Sequence, residues 1–202
     1  MEIKDYKIET TNLKISVQLP QEVSLEFVED RCKFLQLTGT NIYCRRKIKN
    51  LLSVRYKNFT YVLFKRSSKV TNGITPPQHC NITKLKSESK VLEAIEHLFF
   101  VVDQPQTFLN YTVDCYSCIA DTRQEIDISA FYLIEKKIRC TLHEEGFPAL
   151  VIHCPQELKK VSKNITCMVY KSGKVVLVGG KNQEEIRNFF NWVVKILQKY
   201  ST

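Results

Sequence analysis

The sequence predicts an α+β fold made of two copies of one unit, an antiparallel sheet with helices on one face and the other face open. Two observations lead there. Residues 57–65, KNFTYVLFK, and 163–171, KNITCMVYK, share Lys, Asn, Thr and a closing Lys, with aliphatic or aromatic residues in the remaining places, half the chain apart. The flanks echo at the same offset, as a duplicated unit requires and a chance match of one strand does not. Downstream of each copy an apolar strand ends in Lys86 or Lys181 and runs into a long helical segment, and upstream of each lie a long strand, a turn and a short amphipathic stretch. The repeats are expected over 1–103 and 104–202, together forming one domain.

The elements follow in order from composition and period. β-branched and aromatic enrichment places strands at about 6–19, 50–56, 59–65 and 80–85 in the first half. The same signal gives 108–119, 138–143, 148–154, 164–171 and 174–179 in the second half. Short turns such as KSGK at 171–174 make consecutive strands antiparallel. In 182–197, Ile186, Phe189, Phe190, Val193, Val194 and Leu197 recur at helical spacing, and Asn182 with Glu185 forms a reciprocal cap. Ser87 is expected to cap the corresponding helix, whose apolar face is Val91, Ala94, Ile95, Leu98 and Val102. Helices segregated from a meander of strands cover one face of the sheet and leave the other open.

Two hundred and two residues, 44% of them hydrophobic, are enough for a substantial core. No apolar run approaches the roughly 18 residues of a membrane helix, and the opening MEIKDYKIETT lacks the pattern of a signal peptide. Eight cysteines and four Asn-x-Thr sites (Asn58, Asn81, Asn110, Asn164) would suit a secreted glycoprotein. Without a signal pattern they read instead as reduced thiols of an intracellular protein. Cys115 and Cys118 form a lone C-x-x-C whose side chains fall on opposite faces of a strand, so no metal site is expected. With no nucleophile elbow, glycine-rich phosphate loop or acidic cluster, neither an enzyme nor a cofactor is expected.

The net charge is +9, and the first half holds most of it. Between Arg45 and Lys69 there are nine basic residues and no acidic one. On strands, such a run lines one face or rim with positive charge, the means by which proteins meet phosphate backbones. A solvated surface is the blander explanation of the same run.

EGFPALVIHC at 145–154, followed by TCMVYKSGKVVLVGGKNQEEI at 166–186, resembles the second repeat of the TATA-box-binding protein family. That family has Phe-Pro-Gly-Leu on one strand, an aliphatic strand ending in Phe, Ser-Gly-Lys, a further aliphatic strand, Thr-Gly-Ala-Lys and a helix. TTNLKISVQL at 10–19 is similar to the family's first strand, whereas 31–56 resembles it poorly. The resemblance implies a pseudo-twofold saddle, a curved antiparallel sheet with helices on its convex face. It implies that the concave face binds double-stranded DNA in the minor groove and kinks it with two pairs of phenylalanines wedged between base steps. Wedging costs least at flexible steps, so it selects sequence without reading many base edges.

Carried over residue by residue, Phe147 and Tyr170 stand at the wedge positions of the second repeat and Phe64 at one of the first. The fourth wedge falls among Ile48, Leu51 and Leu52. Asn12 stands where an Asn reads base acceptors, and Thr83, Val176 and Val178 line the groove. Arg55, Lys86, Lys174 and Lys181 match backbone-contacting bases. The pattern is broken where Cys115 replaces the second Asn, Val178 a Thr and His153 an Arg, and where the first hairpin lengthens through 65–80. The function implied is a transcription initiation factor that binds and bends promoter DNA, with IIB-type general transcription factors and RNA polymerase as partners and no membrane. A scaffold that recruits those partners without specific TATA binding is the alternative. Such divergence resembles what a large DNA virus would encode, for work in a nucleus or a cytoplasmic viral factory.

Overall fold

The computed structural model describes residues 6–67, 76–105, 110–143, 145–146, 148–158 and 165–201. Its contacts divide the chain into two compact units, residues 12–114 and residues 1–11 with 115–202. The statements below concern the described residues.

The 12–114 unit runs β1 (Ile8–Gln18), α1 (Leu25–Leu37), β2 (Ile42–Ile48), β3 (Leu51–Tyr56), β4 (Phe59–Phe64), β5 (His79–Leu85) and α2 (Val91–Val102). Its strands lie in the order β2-β3-β4-β5-β1, every neighbouring pair antiparallel. Alternation along each strand separates two faces. Leu13, Ile15, Val17, Leu52, Val54, Tyr61, Leu63, Cys80 and Ile82 are buried towards the helices. Each such large aliphatic side chain contributes about 1.5–3 kcal/mol when fully buried. Helix α1 begins where the Ser24 hydroxyl accepts from the Phe27 amide, and it buries Leu25, Val28, Cys32 and Leu35 at helical spacing. Helix α2 buries Val91, Ala94, Ile95, Leu98, Phe99, Val101 and Val102.

Two readings of this half are corrected. Ser87 makes no capping bond: its hydroxyl pairs with that of Ser89 at 2.7 Å, a 3-10 turn spans Glu88–Lys90, and α2 starts only at Val91. The physical reason is that Lys90 stands where a reciprocal Glu would be, so nothing reaches back to the backbone ahead of the helix. Strand β2 is not expected from the sequence, since three basic residues break the apolar pattern of IYCRRKI.

The other unit runs β6 (Tyr111–Asp121), α3 (Ile128–Ile134), β7 (Cys140–His143), β8 (Ala149–His153), β9 (Thr166–Tyr170), β10 (Lys174–Gly180) and α4 (Gln183–Leu197), with β6 entering it at Cys115. The strand order is β6-β10-β9-β8-β7, again antiparallel throughout. Helix α4 buries the six apolar residues expected of it. Its cap is Asn182, as expected, whose Oδ1 accepts from the Glu185 amide at 2.8 Å, while the Glu185 carboxylate accepts from the Asn182 side-chain amide at 3.2 Å and reaches back to the Lys181 amide at 2.9 Å. The β9–β10 turn needs Gly173, which has φ +82°; a Cβ there would overlap the Gln124 carbonyl oxygen and lie 2.5 Å from the Thr122 hydroxyl. All eight cysteines are free thiols. No described helix is long and apolar enough to cross a membrane.

Candidate nucleic-acid interface

In each unit the sheet face turned away from the helices is solvent-accessible, and cross-strand pairing arranges its side chains in rows. In the 12–114 unit one row is Tyr43, Arg55, Thr60 and Thr83. The next is Arg45, Ser53, Val62, Asn81 and Ser16. The last, at the end of the sheet, is Ile48, Leu51 and Phe64. Phe64 is 37% exposed and Ile48 63%. Leu51 lies directly between them, so three apolar side chains stand together on the open face.

In the other unit the corresponding rows are less polar. Ile119, Val176, Met168 and Val151 follow one another across β6, β10, β9 and β8. Beside them run Ser117, Val178, Thr166 and His153. At the end of the sheet Tyr170 pairs with Ala149, just as Phe64 pairs with Leu51. A cavity of about 650 Å³ opens here, with Ile119, Val176 and Tyr170 among its walls and Lys7, Arg123 and Lys174 at hand. Glu9 and Asp121 share its walls, and Lys7 pairs with Glu9 at 2.6 Å, so an aromatic and apolar floor is rimmed by charges of both signs.

The basic residues separate by face. Arg45 and Arg55 are exposed on the open side, and Lys86 and Lys181 are exposed just past the ends of β5 and β10. Arg46 faces the helices, where Nη1 meets Glu26 at 2.8 Å and Nε meets Glu29 at 3.1 Å. The hydrogen bond from Arg46 holds the Glu26 carboxyl down to about 2. Arg66 meets Glu22 and the Pro76 carbonyl. The basic run is therefore divided between the open face and internal neutralisation.

Of the residues predicted for the site, Arg55, Phe64 and Thr83 share the open face of one unit, and Tyr170, Lys174, Val176 and Val178 that of the other. Phe147 lies outside the described residues. Asn12 is partly committed: its side-chain oxygen accepts from the Lys84 amide at 2.6 Å, where Lys84 adopts φ 69° at an irregularity in the β1–β5 pairing. That bond identifies the oxygen and leaves the Asn12 amide as a donor. Among the three proposed fourth wedges, Leu52 is excluded because it is fully buried against the helices. Sequence reasoning missed Lys14, Ser16, Asn81 and Asp114, which meet on the open face of the 12–114 unit. Lys14 and Ser16 alternate with Leu13, Ile15 and Val17 along β1, but nothing in the sequence brings them to Asn81 on β5 and Asp114 on β6. Cys115 and Cys118 do point opposite ways, one half-buried and one buried, and no group of three His, Cys, Asp or Glu among the described residues could hold a metal.

The family model described as "Transcription factor TFIID (or TATA-binding protein, TBP)" matches residues 110–200. The curated TATA box-binding protein-like 2 of Mus musculus is 22% identical over 150 residues, 74% of this chain and 39% of that protein. The match thus takes in well under half of the relative's length. Among solved structures, Methanococcus jannaschii TBP aligns with a TM-score of 0.72 at 16% identity, covering 96% of this chain and 99% of that one. The rolling circle replication initiator protein from Geobacillus stearothermophilus aligns with a TM-score of 0.43 at 11% identity, covering 98% of this chain and 86% of that one. The fold is that of the first of these structures, α+β with an antiparallel sheet open on one face.

Proposed function

We propose that the chain is a transcription initiation factor of the TATA-binding-protein type, which lays the open sheet face of each unit into the minor groove of promoter DNA and bends it. The observation that carries this reading is the matched pair of sheet ends. Phe64 against Leu51 and Tyr170 against Ala149 occupy equivalent places at the end of β4 and β9, each on the open face. A wedge must be apolar, accessible and backed by a rigid strand, since it unstacks a base step at a cost of a few kcal/mol that other contacts must offset. Phe64 with Leu51 or Ile48, and Tyr170 with Phe147, are the wedges on this reading. Asn12, Thr83, Val176 and Val178 line the groove. Arg55, Lys86, Lys174 and Lys181 meet the phosphates. The partners are double-stranded DNA, IIB-type general factors and RNA polymerase, in a nucleus or a viral factory.

One observation favours a second reading, the scaffold that recruits these partners without specific TATA binding. Asp114 places a carboxylate on the open face beside Lys14 and Ser16, and an A·T minor groove, which presents only acceptors, offers that carboxylate no donor. Fluorescence anisotropy with labelled TATA-containing and GC-rich duplexes at two salt concentrations separates the readings, with end-to-end energy transfer reporting the bend. Salt-sensitive binding with a bend that Phe64→Ala and Tyr170→Ala each reduce is the expected result. Absence of duplex binding, or binding and bending indifferent to both substitutions, would leave the scaffold.

A further inference from the structure

The open face of the 12–114 unit carries a hydrogen-bonded cluster that minor-groove wedging and phosphate contact leave without a role. Lys14 Nζ lies 2.8 Å from Asp114 Oδ2. The Ser16 hydroxyl lies 2.8 Å from the same oxygen and 2.7 Å from Asn81 Oδ1. Beside it a groove of about 420 Å³ is lined by Ser16, Gln18, His79, Asn110 and Thr112, every one a hydrogen-bonding side chain. The Lys14 and Asp114 side chains are 35% and 26% exposed, so a ligand on this face reaches them. The other unit has Ile119, Val176, Met168 and Val151 across its open face instead.

The chemistry of the minor groove narrows what such a cluster can meet. A·T and T·A pairs show only acceptors there, adenine N3 and thymine O2, and the one base-edge donor in the groove is the 2-amino group of guanine. A carboxylate pressed against acceptors loses water and is repelled by them, although Asp114 keeps its bonds from Lys14 and Ser16. Against a G·C pair the same carboxylate gains a donor, while the Lys14 ammonium faces the neighbouring acceptor oxygen. An ion pair of this kind is a donor–acceptor couple that matches the G·C edge and mismatches the A·T edge. A cluster serving only to join β1 to its neighbours would have no such preference, and the difference is measurable.

We propose that the Lys14–Ser16–Asn81–Asp114 cluster is a specificity element that reads a G·C base pair in the minor groove, with Asp114 accepting from the guanine 2-amino group. The chain then prefers a G·C pair to an A·T pair at the position the cluster meets. This rests on the DNA-binding reading above, and the test keeps the two apart.

The experiment moves a single G·C pair stepwise along an A·T duplex and measures binding of the full chain by anisotropy. At each position guanine is then replaced by inosine, which lacks only the 2-amino group. At the cluster's position the inosine duplex binds about five- to tenfold more weakly than the guanine duplex, the loss of one charge-assisted hydrogen bond. Replacing adenine there by 2,6-diaminopurine, which adds the amino group to an A·T-type pair, restores binding. Asp114→Val abolishes the difference between guanine and inosine. Should that variant fail to melt cooperatively, the inosine and diaminopurine duplexes decide the matter with the unaltered protein. Salt-sensitive duplex binding that is indifferent to inosine at every position, or improved by it, overturns this proposal and leaves the DNA-binding reading standing. Absence of duplex binding at any salt overturns both.

Discussion

Leu51 and Leu52 are neighbours in the chain with opposite roles. Leu52 is fully buried against the helices, while Leu51 stands on the open face between Ile48 and Phe64. Leu52→Ala is expected to cost about 2–5 kcal/mol in urea denaturation, the loss of a core side chain plus the cavity it leaves. Leu51→Ala should cost under about 1 kcal/mol, as surface changes do. If Leu51 is a wedge, its substitution instead weakens duplex binding and reduces the bend, with the midpoint of unfolding almost unmoved. Two adjacent leucines are indistinguishable by composition, and period assigns them to opposite faces without saying which faces which. Only the β3–β4 register, with Leu51 opposite Phe64, resolves it. The strand-end places of Phe64 and Tyr170 were legible because each closes one copy of the repeated Lys-Asn-x-Thr strand. The Lys14–Asp114 cluster was not, since its members are distant in sequence and are brought together by pairing of separate strands.

At the scale of elements, the helix starts show how far local sequence decides structure. Asn182 Oδ1 accepts from the Glu185 amide and Glu185 accepts from the Lys181 amide, whereas the Ser87 hydroxyl pairs with that of Ser89. Asn182→Ala is therefore expected to lower stability by about 1 kcal/mol, and Ser87→Ala to change it by less than about 0.5 kcal/mol, both read from thermal unfolding. The α1–β2 junction depends on non-local charge. Arg46 depresses the Glu26 carboxyl from an ordinary 4.5 to about 2. A carboxylate depressed on folding contributes stability that is present above its unfolded pKa and is lost as pH falls through the folded one. The melting temperatures of the unaltered protein and of Glu26→Gln should accordingly differ near pH 6 and converge as the pH falls from about 4.5 towards 2. A difference that persists at pH 2 would show that Glu26 acts by packing and not by charge. The sequence run of nine bases gave no hint that one of them is held this way, because its acidic partners sit on a helix some twenty residues earlier.

Over the whole molecule, the question is how much of the +9 charge is available to a polyanion. Arg46 and Arg66 are engaged with Glu26, Glu29 and Glu22, so the basic run between Arg45 and Lys69 overstates the field it presents. Arg45 and Arg55 alternate on to the open side, and Lys86, Lys174 and Lys181 are exposed at or beyond strand ends in both units. Duplex affinity should then fall linearly in log–log form with salt, each phosphate contact contributing about 0.9 to the slope. Arg55→Ala is expected to reduce that slope by about 1 while leaving sequence preference unchanged, since a phosphate contact carries no base information. Arg46→Ala should leave the slope where it is and lower the melting temperature, because its charge is spent within the fold. Equal effects of the two substitutions on the slope would mean that the protein meets DNA through its total charge and not through the open sheet face, and the wedge mechanism would lose its geometric basis.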